Sequence, residues 1–198
     1  YTHDNYTQFY LNSSNQHTVI GSTGRAWGPA FDGRPIEYYD GEMVPYSPVK
    51  NNYKKMYNLG FNSNTNVAVQ GGNEKTTFYT SLSYKTMSGT LPNNSFKRLA
   101  MMAKASHKLT DNFEVEASIN FANSNPHNAQ PSVGEYFVDT NNGPLGGMYD
   151  PDKYKHLYKA PHGGVVSSSY GDKYGRVPGM GLWWSIYENN YDQKETTV

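Results

Sequence analysis

The side chains with chemical capacity in this sequence fall into a few separate groups. Glu114 and Glu116 share one side of an alternating segment, as a carboxylate pair doing acid and base work would. His156 and His162 sit in a Pro/Gly-rich stretch that specifies no third ligand for a metal. Gly143, Gly146 and Gly147, and likewise Gly175, Gly179 and Gly181, have the backbone room of a phosphate cradle, but neither set stands between a strand and a helix. Trp27, Tyr38, Tyr39, Tyr149, Trp183 and Trp184 lie in irregular segments near Asn and Asp, where exposed rings stack on sugar faces or hold a protein partner.

None of these groups completes a catalytic constellation. The chain contains no Gly-x-Ser-x-Gly elbow, no His-Glu-x-x-His and no cysteine, so the common serine, zinc and thiolate chemistries lose their signatures. The glutamates read as charges facing a wet lumen, the histidines as loop residues and the glycines as turns. The expectation is a protein that binds or transports, with no catalytic residue, no metal and no cofactor. Substrate or lid contact falls to the aromatic group as a whole.

Positioning comes from strands that alternate polar and apolar residues with period two. In residues 61–70, Phe61, Val67 and Val69 oppose Asn62, Asn64, Asn66 and Gln70. After the turn Gly71-Gly72-Asn73-Glu74-Lys75, a second strand over residues 76–86 sets Phe78, Leu82 and Tyr84 against Thr77, Tyr79, Ser81, Ser83 and Lys85. A third, residues 97–108, is less regular: Ala100 and Met102 fall on the polar face and His107 on the apolar one. Leu109-Thr110-Asp111-Asn112 turns into a fourth, residues 113–121, where Phe113, Val115, Ala117, Ile119 and Phe121 oppose Glu114, Glu116, Ser118 and Asn120. Alternation over about nine to eleven residues between turns is the pattern of transmembrane β-barrel strands, apolar toward lipid and polar toward a lumen. Val67, Val69, Phe78, Leu82, Tyr84, Phe113, Val115, Ile119 and Phe121 are the expected lipid-facing residues. Phe78 and Phe113 lie near the turns, with Tyr84 and Phe121 toward the other end, as aromatic girdles at two lipid boundaries would.

Composition narrows the classes further. The 198 residues are 36% hydrophobic, the mean hydropathy is −0.79, and no run nears the roughly 18 apolar residues of a spanning helix. Lysine plus arginine balances aspartate plus glutamate at 17 each, giving no long-range field toward nucleic acid. Tyr1 to Tyr10 lacks a basic start followed by an apolar run, so no export signal is read there. Residues 1–60 read as an irregular aromatic loop region, not core, with one short helix near 50–59 in which Tyr53, Met56 and Tyr57 share a face and Gly60 supplies a left-handed stop. Residues 61–121 form the meander, 122–181 a long extracellular loop region, and 182–198 the start of a further strand or loop. Short turns at one end and a long outer loop at the other are the asymmetry of outer-membrane barrels.

Several segments resemble one family. Arg25-Ala26-Trp27-Gly28-Pro29 with Phe31-Asp32-Gly33, then Asn66-Val67-Ala68-Val69-Gln70-Gly71-Gly72-Asn73-Glu74-Lys75-Thr76, then Gly89-Thr90-Leu91-Pro92-Asn93-Asn94-Ser95-Phe96-Lys97-Arg98, and Trp184-Ser185-Ile186-Tyr187-Glu188-Asn189, are similar to the SusC/RagA family of TonB-dependent outer-membrane transporters. The resemblance implies an all-β, antiparallel barrel segment, part of a 22-stranded barrel around a plug in the cell outer membrane. It further implies import of oligosaccharides or peptides beneath a SusD-like surface lipoprotein, with energy relayed by TonB. Four strands cannot close, and an open edge in lipid leaves backbone groups unpaired, so other barrel and plug polypeptide is expected to complete the wall. The rival is a secreted β-sandwich carbohydrate-binding module, in which the same apolar side would face a second sheet. A weaker third reading is the noncatalytic part of a glycan-degrading enzyme.

Overall fold

The computed structural model describes residues 30–128 and 147–198, together with the backbone of two short strands before them, β1 (Phe9–Leu11) and β2 (His17–Val19). The chain divides into two compact units, one of residues 1–57 and 130–189, the other of residues 58–129 and 190–198. The architecture is mostly antiparallel sheet with few helices, and the described strands do not close into a barrel.

The second unit is the meander. β5 (Phe61–Gly72), β6 (Thr76–Ser88), β7 (Ser95–Thr110) and β8 (Phe113–His127) pair in sequence order, all antiparallel, and β9 (Glu195–Thr197) adds a short fifth strand beside β8. The chain enters β5 and leaves β8 at the same end of the sheet, away from the tight turns.

Local chemistry sets those turns. Between β5 and β6 the Asn73 side-chain oxygen accepts from the amides of Lys75 (3.0 Å) and Thr76 (2.9 Å), and the Asn73 amide donates to the Thr76 carbonyl (2.7 Å). Gly72 has φ of 156°, and a Cβ there would lie 2.3 Å from the Thr76 carbonyl oxygen, so only glycine fits. Between β7 and β8 the register shifts between Lys108 and Thr110, a bulge that tightens the turn at Asp111 and Asn112.

Register fixes the two faces. Val67 pairs with Leu82, Leu82 with Met101, and Met101 with Phe121, which runs one apolar row across four strands. Ser81, Met102 and Asn120 form a row on the other face, so Met102 is on the polar side as the alternation requires. His107 stands on the apolar side opposite Thr76 and Val115, its Nδ1 2.8 Å from the Thr76 hydroxyl. That bond satisfies a polar ring among apolar neighbours.

The strands run past the expected ends. β6 continues through Ser88, β7 covers Ser95–Thr110, and β8 reaches His127, six residues into what reads as loop. Pro126, opposite Phe96, lacks an amide to donate and still takes part, because its carbonyl accepts from Gln193 (3.2 Å).

The first unit overturns two expectations. Residues 50–59 hold only turns and one 3-10 turn, Lys54–Met56; Met56 is fully buried, Tyr53 and Tyr57 stay exposed, and Gly60 does not take a left-handed φ. Asn51 and Asn52 favour turns over a helical start, and Asn51 takes the left-handed conformation itself, at φ 57°. Nor are residues 30–60 merely loop. β3 (Pro35–Glu37) and β4 (Met43–Pro45) form a small hairpin, and Ile36, Tyr38, Tyr39, Tyr46 and Met56 join Met148, Tyr149, Tyr154, Trp183 and Ile186 in a buried core. Short helices complete it: α1 (Pro151–Tyr154), with Pro151 at its start and the Asp150 carboxylate accepting from the Asp152 amide (3.1 Å), and α2 (Met180–Glu188). Residues 182–188 are therefore helix, and only Glu195–Thr197 are strand.

Candidate functional site

The expected lipid-facing residues share one surface, and no described residue covers it. Val67 (62% exposed), Ile119 (59%) and Phe113 (57%) lead a set in which Val69, Phe78, Leu82, Tyr84 and Val115 are also exposed and Phe121 is half-buried. Monomeric soluble proteins rarely leave so contiguous a set of Val, Leu, Ile and Phe uncovered on one sheet side.

The aromatic positions on that side follow a slant. Across β7, Phe78 is in row with Ala117, but the β8 aromatic, Phe113, lies nearer the turns. Tyr84 is in row with Asn123, and again the β8 aromatic, Phe121, lies nearer the turns. At ~3.3 Å per residue and about 4.8 Å between strands, offsets of about 13 and 7 Å over two spacings mean an inclination of roughly 35–55°, spanning the ~35–45° tilt of transmembrane strands. Along β8 from Phe113 to Phe121 the apolar band measures about 26 Å, or about 20 Å after an inclination of ~40°, close to the ~25 Å band of such barrels. Beyond it the same side turns polar at Ser63, Thr86, Lys97 and Asn125.

The other side is polar and hydrogen-bonded. Thr77 and Ser106 hydroxyls lie 2.7 Å apart, Ser83 donates to the Asn64 side chain (3.3 Å), and Lys104 pairs with Glu116 (3.0 Å). Glu116 is thus an ion-pair member, and Glu114 is opposite Lys108; the two form no acid–base dyad. Above the band, the Asn128 side chain donates to the Asn93 carbonyl (3.0 Å) and accepts from the Tyr191 amide (2.7 Å), and His127 Nδ1 meets Asp192 (2.7 Å). These contacts fasten residues 190–192 to the sheet end and aim the chain into β9.

The aromatic residues proposed for substrate contact are placed elsewhere than expected. Trp27 lies outside the described residues. Tyr38, Tyr39, Tyr149 and Trp183 come together, but in the interior of the first unit: Tyr149 and Trp183 have no exposure, and Trp183 Nε1 donates to the Tyr149 hydroxyl (2.7 Å). Tyr38 donates to the Met148 carbonyl and accepts from the Asp150 amide (3.2 Å), with its ring 4.8 Å from Tyr39 and 5.7 Å from Tyr154. Their faces are spent on one another, because tyrosine buries a large ring once its hydroxyl finds a partner. Burial pushes the Tyr38, Tyr39, Tyr149 and Tyr154 phenols well above their ordinary range. Trp184 is half-buried, its indole nitrogen enclosed with no acceptor among the described residues. A strongly exposed ring that the spacing did not single out is Tyr170, at 74% exposure and 5.2 Å from the His162 ring; its position just before Gly171, a left-handed turn residue, was the available signal.

Beneath those rings sits one enclosed carboxylate. The Asp40 side chain is 2% exposed, with Lys153 Nζ at 2.6 Å and the Tyr154 hydroxyl at 3.0 Å. Burial alone would raise its pKa, but the hydrogen bonds from Lys153, the Glu42 amide and Tyr154 prevail and hold it below the usual aspartate range. Among the described residues no three of His, Asp or Glu are grouped to hold a metal ion, and no helix is long and apolar enough to cross a membrane. His162 faces Asp172 at 3.6 Å in place of a ligand set. No family model and no curated protein matches the chain.

Proposed function

We propose that the five-stranded sheet is a section of outer-membrane β-barrel wall from a SusC-like, TonB-dependent importer of oligosaccharides or peptides. The observation that carries the reading is the uncovered apolar side, banded by aromatics and inclined as a membrane-crossing sheet would be, backed by a polar side of Asn, Ser, Thr and paired charges. Hydrocarbon is the solvent that removes such a face from water without a second protein layer. A β-sandwich would need a facing sheet over Leu82, Val115 and Ile119, and none of the described residues supplies it. The part played by this section is passive: it separates lipid from lumen and anchors the outer segments that enter at β5 and leave at β8. Barrel closure, a plug, TonB coupling and a SusD-like lid belong to other polypeptide on this reading, and paired strand edges are what β5 and the remainder of β8 require.

The described strands contain no tryptophan, whereas Trp27, Trp183 and Trp184 fluoresce elsewhere in the chain, so each introduced reporter is read as the signal it adds to wild type. In protein reconstituted with brominated phospholipid, L82W fluorescence is quenched and S83W, one residue along on the polar side, is not. Equal quenching of both, or of neither, overturns the membrane-wall reading.

A further inference from the structure

On the polar side, Lys85 and Arg98 are direct cross-strand partners. Like charges placed opposite each other on one face of a sheet destabilise the pairing unless something offsets them. Lys104, lower on the same face, has its offset in Glu116 at 3.0 Å. Among the described residues Lys85 and Arg98 have no carboxylate in ion-pair contact: Lys85 Nζ lies 6.0 Å from the centroid of the Phe96 ring, and Arg98 faces Ser124 on its other flank. Among the strand residues described, the carboxylates facing this side are Glu195, across Ser124 at the sheet edge and not in ion-pair contact, and Glu114 and Glu116 near the turns. From Arg98 to Ser106, the partner of Glu116, is about 26 Å along the strand at ~3.3 Å per residue, well beyond a screening length of about 8–10 Å.

Arg98 borders a depression of about 710 Å³ together with Ser81, Ser83, Met102, Ser118, Asn120 and the β9 end at Thr197 and Val198; Lys85 is not in its lining but stands directly across from Arg98. Hydroxyls, an amide and a guanidinium fork around an apolar patch suit a sugar or peptide backbone that carries a carboxylate. Lipid phosphate is the wrong occupant, because the pair stands on the side opposite Leu82 and Met101, and the cation nearest the outer lipid boundary is Lys97, on the other face.

We propose that Lys85 and Arg98 form a lumenal binding site for a carboxylate-bearing cargo. The assignment rests on the barrel-wall reading for calling the site lumenal, and on the cross-strand pairing for its chemistry. The test uses the whole transporter purified in detergent, with trigalacturonate as the anionic probe and galactotriose as its neutral counterpart, titrated calorimetrically. Wild type binds trigalacturonate more tightly than galactotriose, the preference shrinks as salt is raised, and in K85Q/R98Q the ratio of the two affinities falls by about ten-fold or more. The double variant relieves a repulsion and so folds at least as well as wild type, which a thermal melt checks. Equal affinity for the two probes in wild type, or an anion preference that survives K85Q/R98Q, overturns the proposal. Quenching of L82W by brominated lipid is read on the same preparation: quenching with no anion preference removes this site alone, whereas anion preference without quenching removes the membrane wall and leaves an anion-binding sheet.

Discussion

At the residue scale, the most consequential polar contact is the ion pair that lets Asp40 lie beneath the tyrosines. Its carboxyl titrates lower in the folded chain than in the unfolded one. The stability it contributes is therefore complete above the ordinary aspartate range and is lost as pH falls through the folded value. Near-UV circular dichroism of the buried tyrosines should hold steady from neutral pH down to about 5 and decay below about 4. K153M leaves the carboxylate buried with only Tyr154 and the Glu42 amide, so unfolding should become easier by about 1.5–3 kcal/mol at neutral pH, with a smaller loss on acidification than in wild type. A K153M melt that matches wild type would show that the pair only decorates a core held by its rings.

At the element scale, the first hairpin depends on a backbone conformation rather than on a side chain. Gly72→Ala sets a Cβ against the Thr76 carbonyl and strains φ at 156°, a cost of about 1–3 kcal/mol. Gly181→Ala in α2, where a Cβ meets nothing within 4 Å, should be neutral or stabilising by up to about 1 kcal/mol. Denaturant melts of the two variants separate backbone strain from the mere addition of a methyl; equal midpoints would discount the strain. The same contrast explains what the sequence disclosed. Alternation at Val67 and Val69 or at Val115 and Ile119 was legible because one side of each strand meets a uniform environment, and even the irregular β7 kept its register with His107 paired to Thr76. The extension of β8 to His127 was hidden by Asn, Ser and Pro, which look like loop until the neighbouring strand supplies partners. Tyrosine hid the first unit's core. It is apolar by ring and polar by hydroxyl, so Tyr38, Tyr39 and Tyr149 read as surface rings in segments without periodicity, and only long-range partners such as Met148 and Trp183 show them to be interior.

At the scale of the whole molecule, the nature of the medium on the apolar side turns an ordinary surface substitution into a diagnostic one. Ile119 is 59% exposed and lies inside the apolar band, two residues from Phe121 and six from Phe113, so in water Ile119→Arg would change stability by no more than about 0.5 kcal/mol. Against hydrocarbon the same change costs about 2–4 kcal/mol at mid-depth and falls to about 0–1 toward the boundary. Ser63→Arg, on the same side in the row of Thr86 beyond the apolar band, should therefore be nearly silent, and Asn66→Arg, opposite Ser83 on the polar side, silent as well. Because the strands are inclined, cost should follow depth rather than row: Ala117→Arg, in row with Phe78 at the turn-side boundary of β6, lies deeper on β8, where Phe113 marks that boundary. Guanidinium unfolding from lipid vesicles would give the ranking Ala117 above Ile119, and both above Ser63 and Asn66. A flat profile would mean that water, not lipid, meets Val67, Leu82 and Ile119, and the transporter reading would fall with it.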